Sequence, residues 1–282
     1  NDANLAFLNA GIEIMPKSSE LSQKIQAHYP RGQLDYLHVI FLAKGQQLTP
    51  KLADIVFSNL QIEADNILPG FSGLSGAVTF TGQNARMALQ SEHVQIHFPT
   101  LYSYPIEITD LNTVLNGYFL ENDLMIKAAI LEANLFDTAF SGQGTWHFKG
   151  KEMPTTEMVF NLGTMKTATA LTLLPRKMMD EDLVSWLDNA LLSGNVLSTT
   201  CVLRGNLAEF PFDNAEGVFE IYTELENAHL DYTKGWPALT DLKANLLFRN
   251  RSLFISAESG ALASESDIIG QLVDADAVIP NL

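Results

Sequence analysis

The feature that most constrains this 282-residue sequence is an internal repeat at a fixed spacing. The stretch Asn59–Phe80 returns as Asn227–Phe248, and an Asn, a Pro, a Leu and a Phe each recur 168 residues later. A partial third copy of the turn and strand occurs at Pro105–Leu115, with one more residue between its Pro and its Leu. Repetition on this scale favours an architecture built from similar units.

Each copy of the repeat has the pattern of two β-strands joined near a proline. Pro cannot donate to a strand ladder, and the Ser/Thr–Gly/Asp step after it is interpreted as a turn. In the following strand apolar and polar residues alternate, which places the apolar ones on a single face of an extended chain. Arg249–Ser252 then predicts a hairpin turn. The repeat therefore predicts a β-meander with one apolar face.

Two other stretches predict short helices that cap or line the sheet. The first covers about residues 18–29, with Leu21 and Ile25 facing inward, and Gly32 stops it. The second covers about residues 180–191, with Asp180 as N-cap and Gly194 as its end; its inward residues are Leu183, Trp186 and Leu187.

The two glycines after these helices divide the chain into tandem modules. Gly32 and Gly194 lie 162 residues apart rather than 168, which we interpret as a difference in loop length between related modules. The prediction is a first module at residues 1–165 and a second, truncated module at residues 166–282. The fold class is mainly β, with antiparallel sheets and two short helices.

Composition excludes several classes of partner and cofactor. With 17 Lys and Arg against 33 Asp and Glu, the net charge is −16, which argues against binding to nucleic acid or electrostatic docking on an anionic membrane. No run approaches the roughly 20 apolar residues that span a bilayer. The single cysteine, Cys201, is interpreted as a small buried hydrophobe.

The sequence carries no pattern typical of catalysis. His93 and His97 lie in a strand pattern, so they share a face but stand roughly 13 Å apart, too far for one metal ion. The run Gly70–Gly76 lacks the strand-to-helix context of a nucleophile or phosphate loop and is interpreted as turn and strand. We expect no enzyme activity, no metal and no cofactor.

Several segments resemble one family, the YhdP-like branch of AsmA-like proteins. The most specific is Trp236–Leu242, followed by Leu247–Phe248; Leu174–Pro175, the helix with Trp186, Gly194–Gly205 and Phe210–Phe212 also match, and Pro69–Gly76 is similar to the family's preceding module. The resemblance covers most of the chain.

This resemblance implies strongly curved antiparallel sheets that form a repeating β-groove in the periplasm. The family is anchored in the inner membrane by an N-terminal helix, which this sequence lacks, so the chain is interpreted as a fragment of a longer protein. The implied function is to carry phospholipid between the inner and outer membranes along an apolar groove. The implied partners are phospholipid acyl chains, the inner membrane and other envelope proteins.

The alternation and the resemblance together select the apolar residues of a groove face. These are Val78, Phe80, Leu89, Leu242, Ala244, Leu246, Phe248 and Ile255. The alternative is a structural or scaffolding β module of the cell envelope, whose apolar faces form an ordinary core and which binds protein partners only.

Overall fold

The computed structural model describes residues 30–44, 47–64, 69–120, 123–150, 152–264 and 267–281. Fourteen β-strands dominate this part of the chain, which confirms the mainly β prediction. Their bounds are β1 Arg31–Lys44, β2 Gln47–Ile62, β3 Gly70–Thr81, β4 Asn84–His97, β5 Ile106–Leu120, β6 Asp123–Leu135, β7 Thr138–Lys149, β8 Thr155–Leu162, β9 Met165–Lys166, β10 Leu191–Asn206, β11 Val218–Leu230, β12 Ala238–Arg249, β13 Ser252–Ser264 and β14 Asp267–Ile279.

Strands that follow each other in the chain are hydrogen-bonded neighbours in an antiparallel order, and the short β9 pairs with β10 off this path. By compactness the chain divides into two units. Unit 1 comprises residues up to 137 together with 141–156, and unit 2 comprises 138–140 and residues from 157 onward. The module boundary at 165/166 stays a prediction.

Two α-helices lie within the described residues, both in unit 2. The helix α1 spans Thr167–Thr172, and α2 spans Glu181–Ala190. The α2 helix is the one predicted at 180–191, and the Asp180 side chain caps it by accepting a hydrogen bond from the Asp182 amide. The sequence analysis did not predict α1. The helix predicted at 18–29, with Leu21 and Ile25, lies outside the described residues.

The α2 helix places its predicted apolar residues against the rest of unit 2 only in part. Leu183, Trp186 and Leu187 are half-buried, and Ala190 is buried. The Trp186 indole Nε1–H donates to the Tyr232 carbonyl at 2.9 Å, which ties α2 to the turn between β11 and β12. The helix is therefore fixed by a polar contact as well as by apolar packing.

The repeat seen in the sequence is reproduced strand by strand. Adding 168 to the bounds of β3 gives those of β12, and the ends of β2 and β11 correspond in the same way. Phe57 pairs with Gly76 as Leu225 pairs with Ala244, and Leu60 pairs with Leu74 as Ala228 pairs with Leu242. The predicted correspondence of Asn59–Phe80 with Asn227–Phe248 is thus present in the register.

The Ser/Thr–Gly/Asp step is a β-bulge inside a strand rather than the turn that the sequence predicted. Gly73 has φ 85° within β3, and Asp241 has φ 49° within β12. In the third copy Asp110 in β5 has φ 53°. Gly, Asn and Asp adopt this left-handed conformation more readily than other residues. In all three copies the left-handed residue immediately precedes a buried leucine: Leu74, Leu111 and Leu242.

Gly194 does not end α2, which stops at Ala190, but lies inside β10. Its φ is 143°, and a Cβ added there would stand 2.8 Å from the Cα of Ala228. Gly32 in β1 has φ 149°, and a Cβ added there would stand 2.9 Å from the Cα of Leu60. Leu60 is the residue equivalent to Ala228 in the repeat. Both glycines are needed because the neighbouring strand approaches too closely for a side chain.

The change of spacing from 162 to 168 arises in the connection between β10 and β11, residues 207–217. This connection has 11 residues against two between β1 and β2, and β11 begins three residues later than the repeat position of the start of β2, which leaves a net insertion of six residues. Its centre is Phe212, only 1% exposed, whose ring contacts those of Phe210 and is packed on Gly205 and Gly217. The difference in spacing thus lies in this connection, which has a small aromatic core of its own.

A substitution at the bulge tests its backbone conformation. Asn227 has φ 52°, and Asn227→Ala should lower the free energy of unfolding by about 1 kcal/mol because a Cβ without a local hydrogen bond is disfavoured in the left-handed region. Asn227→Gly is the matched control and should stay near the parent value. Urea unfolding measures both; equal losses in the two variants would show that the Asn side chain, not the backbone, matters.

Two substitutions at Trp186 separate the polar and apolar contributions of this side chain to the stability of unit 2. Trp186→Phe should cost about 1 kcal/mol through loss of the hydrogen bond to Tyr232, and Trp186→Ala about 3 kcal/mol through the additional loss of packing. Ser185→Ala, at an exposed position of the same helix, serves as the control. An unchanged melting temperature for Trp186→Ala would mean that α2 adds nothing to the stability of unit 2.

Candidate functional site

The candidate site of unit 1 is the apolar face of its sheet, which begins with the alternation in β3. Leu74, Val78 and Phe80 are buried, whereas Thr79 and Thr81 between and beyond them are exposed. Because side chains of an extended strand alternate between faces, these three share one face. The strand thus has an apolar side and a polar side.

The register extends this face across neighbouring strands. Val78 lies opposite Ile55 of β2 and Met87 of β4, and residues directly opposite each other stand on the same face. The Phe80 ring meets that of Phe119, two strands away, at 5.9 Å in an edge-to-face arrangement. The resulting apolar face of unit 1 includes Ile55, Phe57, Leu60, Leu74, Val78, Phe80, Met87, Leu89, Leu111, Leu115 and Phe119.

Unit 2 carries the same face at equivalent positions. Leu246 lies opposite Thr223 and Ile255 as Val78 lies opposite Ile55 and Met87, and Phe248 takes the position of Phe80. The apolar face of unit 2 includes Val196, Cys201, Ile221, Leu225, Ala228, Leu242, Ala244, Leu246, Phe248, Leu253, Ile255 and Ala257.

The eight residues selected from the sequence all lie on these two faces. Five of them are buried: Val78, Phe80, Leu89, Leu242 and Ala244. Leu246, Phe248 and Ile255 are half-buried and adjacent to one another across β12 and β13. Their role in binding lipid stays a prediction. Of the eight selected residues, these three are the ones whose apolar side chains are partly accessible to solvent.

Sequence reasoning missed other members of the unit 2 face. Val196, Leu225 and Ala228 belong to its core and were not selected. The alternation Phe219, Ile221, Thr223 and Leu225 was a usable signal, but it changes phase at the bulge residue Asn227. Strict alternation would place Leu225 and Ala228 on opposite faces, because they are three positions apart.

The opposite face of each unit carries ion pairs and polar contacts beside exposed apolar side chains, which in unit 2 include Tyr222, Phe254 and Val278. In unit 1 the Thr79 hydroxyl donates to Asp54 Oδ1 at 2.9 Å. In unit 2 Lys243 Nζ lies 2.5 Å from Glu258 Oε2, and the Glu258 carboxylate raises the pKa of Lys243. Asp54 and Glu258 thus lie on the side away from the apolar face.

Two polar sites interrupt the apolar face of unit 2. The hydroxyls of the buried Thr199 and the half-buried Thr223 share one hydrogen bond of 3.0 Å across β10 and β11. Cys201 is 3% exposed, and burial raises the pKa of its thiol to about 12. The predicted interpretation of Cys201 as a small buried hydrophobe agrees with this placement.

Within the described ranges, no group of three or more His, Cys, Asp or Glu side chains is placed to hold a metal ion. His93 and His97 lie in β4, as the strand pattern predicted. In the same part of the chain, no helix has the length and apolar character required to cross a membrane.

Comparison with known proteins identifies relatives over nearly the whole chain. The family model described as "YhdP protein" matches residues 1–282. The intermembrane phospholipid transporter YhdP of Escherichia coli strain K12 is 25% identical over 256 residues, which cover 88% of this chain. The chain spans 20% of the length of that relative. No solved structure matches it.

The burial of Cys201 gives a direct test of the apolar face. At pH 8 the thiol should stay almost fully protonated and resist a polymer-linked maleimide until urea unfolds unit 2. Gln90→Cys, an added cysteine at an exposed position of β4, should react at once and is the matched control. Rapid labelling of Cys201 in the native chain would contradict the packing of β10 described above.

Proposed function

The chain belongs to the YhdP family, and from this premise we propose that it carries phospholipid between the inner and outer membranes as part of a longer periplasmic protein anchored in the inner membrane. The apolar faces of units 1 and 2 hold the acyl chains, and the headgroup stays in water. The transporter of E. coli that matches this chain supports the assignment, because its described cargo is phospholipid.

One observation supports this proposal above the rest: the apolar face occurs twice, at the same positions and in the same register. Val78 and Phe80 in unit 1 correspond to Leu246 and Phe248 in unit 2. A binding face that recurs with the repeat suits a long, uniform ligand, because a methylene chain presents the same chemistry at every point along its length.

The energetics favour an acyl chain as the occupant. Each methylene removed from water contributes about 0.8 kcal/mol, so a partly sheltered chain gains several kcal/mol without any specific polar contact. Among the groups on the face, the Thr199 and Thr223 hydroxyls share one hydrogen bond. A methylene chain has no polar atom to bond with the protein, so cargo can slide without breaking hydrogen bonds.

The charge balance supports the same orientation. The net charge of −16, together with pairs such as Lys243 with Glu258, disfavours electrostatic attraction of an anionic headgroup. Binding is directed by the tails rather than by the headgroup, and several phospholipid classes should be carried alike.

Photo-crosslinking in cells tests the proposal at one residue. A benzophenone amino acid replaces Phe248 on the apolar face, and a matched variant carries it at Tyr222, an exposed aromatic position on the opposite face of β11. We expect phospholipid crosslinked at position 248 and none at 222, read by mass spectrometry of the purified protein. Phospholipid at neither position, or equally at both, would contradict the proposal.

The same experiment distinguishes the scaffolding alternative. A module that binds protein partners only would crosslink to protein at position 248 without phospholipid. Circular dichroism of both variants checks that the sheet has formed before the lipid yields are compared.

A further inference from the structure

The chain itself covers one end of the apolar face in unit 2. After β8 ends at Leu162, β9 pairs with Asn195 and Val196 of β10, and α1 follows immediately. Met165 is buried in the core cluster of unit 2, and Ala170 and Leu173 pack against that cluster. The segment Met165–Leu173, here called the end wall, is therefore paired with β10 and packs against the cluster that contains Val196, Leu225, Ala228, Leu242 and Ala244. Leu246 packs against the edge of the same cluster without being buried in it.

The end wall is fixed to the sheet at its first helical residue. Thr167 is 2% exposed, and its hydroxyl donates to the Gly194 carbonyl at 3.4 Å. A Cβ added to Gly194 would meet the Thr167 Cγ2 at 3.2 Å as well as Ala228. The absence of a side chain at Gly194 thus permits the close approach of both the neighbouring strand and the helix.

The exposure of the apolar side chains increases along β12. Leu242 and Ala244 are 4% and 1% exposed, whereas Leu246 and Phe248, further along the same face, are half-buried. Across the sheet, Leu246 lies opposite Ile255 and Phe248 opposite Ile221, both also half-buried. These four residues form an accessible apolar patch beside a covered one, here called the open patch.

We propose that the end wall confines acyl chains to the open patch, so that cargo crosses unit 2 over β11, β12 and β13 at the level of Leu246 and Phe248 and never reaches Leu242. This inference rests on the proposed function and adds the position of the track. Leu242 and Ala244, which the sequence pattern groups with the track, are buried members of the cluster against which the end wall packs.

The open patch also has the chemistry that a methylene chain requires. Its four residues are aliphatic or aromatic and bring no charge or hydrogen-bonding group, while the polar Thr199 and Thr223 next to it bond to each other. Packing of Ala170 and Leu173 against the cluster removes apolar area that cargo would otherwise occupy. The wall limits the depth of binding without closing the path across the strands.

Two leucines of β12 provide a matched pair for the test. Leu242 and Leu246 lie on the same face about 13 Å apart, one under the end wall and one in the open patch. An aliphatic diazirine amino acid, close to leucine in size, is placed at either position in the protein expressed in cells. We expect phospholipid crosslinked at position 246 and only protein crosslinked at position 242.

The outcomes separate this inference from the proposed function. Phospholipid at both positions, or at 242 alone, would contradict the end-wall proposal but not the proposed lipid transport. Phospholipid at neither position would contradict the proposed function and, with it, the end-wall proposal.

Loosening the end wall gives a second readout. Leu173→Ala should let phospholipid crosslink at position 242 while the yield at 246 stays unchanged, because packing of α1 on the cluster is weakened. Ala168→Ser, at an exposed position of α1, is the matched control and should leave both yields unchanged. A Leu173→Ala protein that is folded by circular dichroism and still shows no lipid at 242 would overturn the end wall.

Discussion

The structure depends on the register between neighbouring strands, and that register depends on a few residues in the left-handed conformation. An antiparallel sheet keeps one apolar face only if paired residues stay in phase. Asn59 and Asn227 each add one residue to their strand, and Gly73 and Asp241 add one to the partner strand. The two additions offset each other, so both strands leave the bulged region in step.

This compensation explains why the apolar face is continuous. On β2 the face passes from Phe57 to Leu60, and on β11 from Leu225 to Ala228. Each step is three positions instead of the two of a regular strand. Bulges also increase the local twist of a strand. Repeating them at the same level in successive strands allows side chains on one face to shelter one another within each unit.

Much of the fold could be predicted from the sequence because strand identity follows from local alternation. The strands within each repeat, the hairpin at Asn250 and the helix capped by Asp180 all rest on residues close together in the chain. The bulges were not predicted, because a Gly or Asp that permits a turn also permits a bulge, and only the partner strand decides between them. The helix α1 was missed because Thr167–Thr172 is short and has no capping side chain.

The candidate site was predictable as a face but not as a path. Alternation alone groups Leu242 with Leu246, since both point the same way from β12. The proposed end wall distinguishes them, and it lies some seventy residues earlier in the chain; contacts at such separation leave no periodic signal in the sequence. The selected residues therefore included both core and accessible positions.

The compensated bulges decide where the repeat tolerates insertions and deletions. Lengthening a connection at a hairpin tip, as in residues 207–217, leaves the pairing of every strand unchanged, and a net six added residues there coexist with an unchanged register from β11 onward. Removing a single residue at Asn59 or Asn227 would instead shift one side of the bulge by one position and turn its apolar side chains outward. Length variation among such modules should therefore accumulate at strand ends and be excluded from the bulged positions.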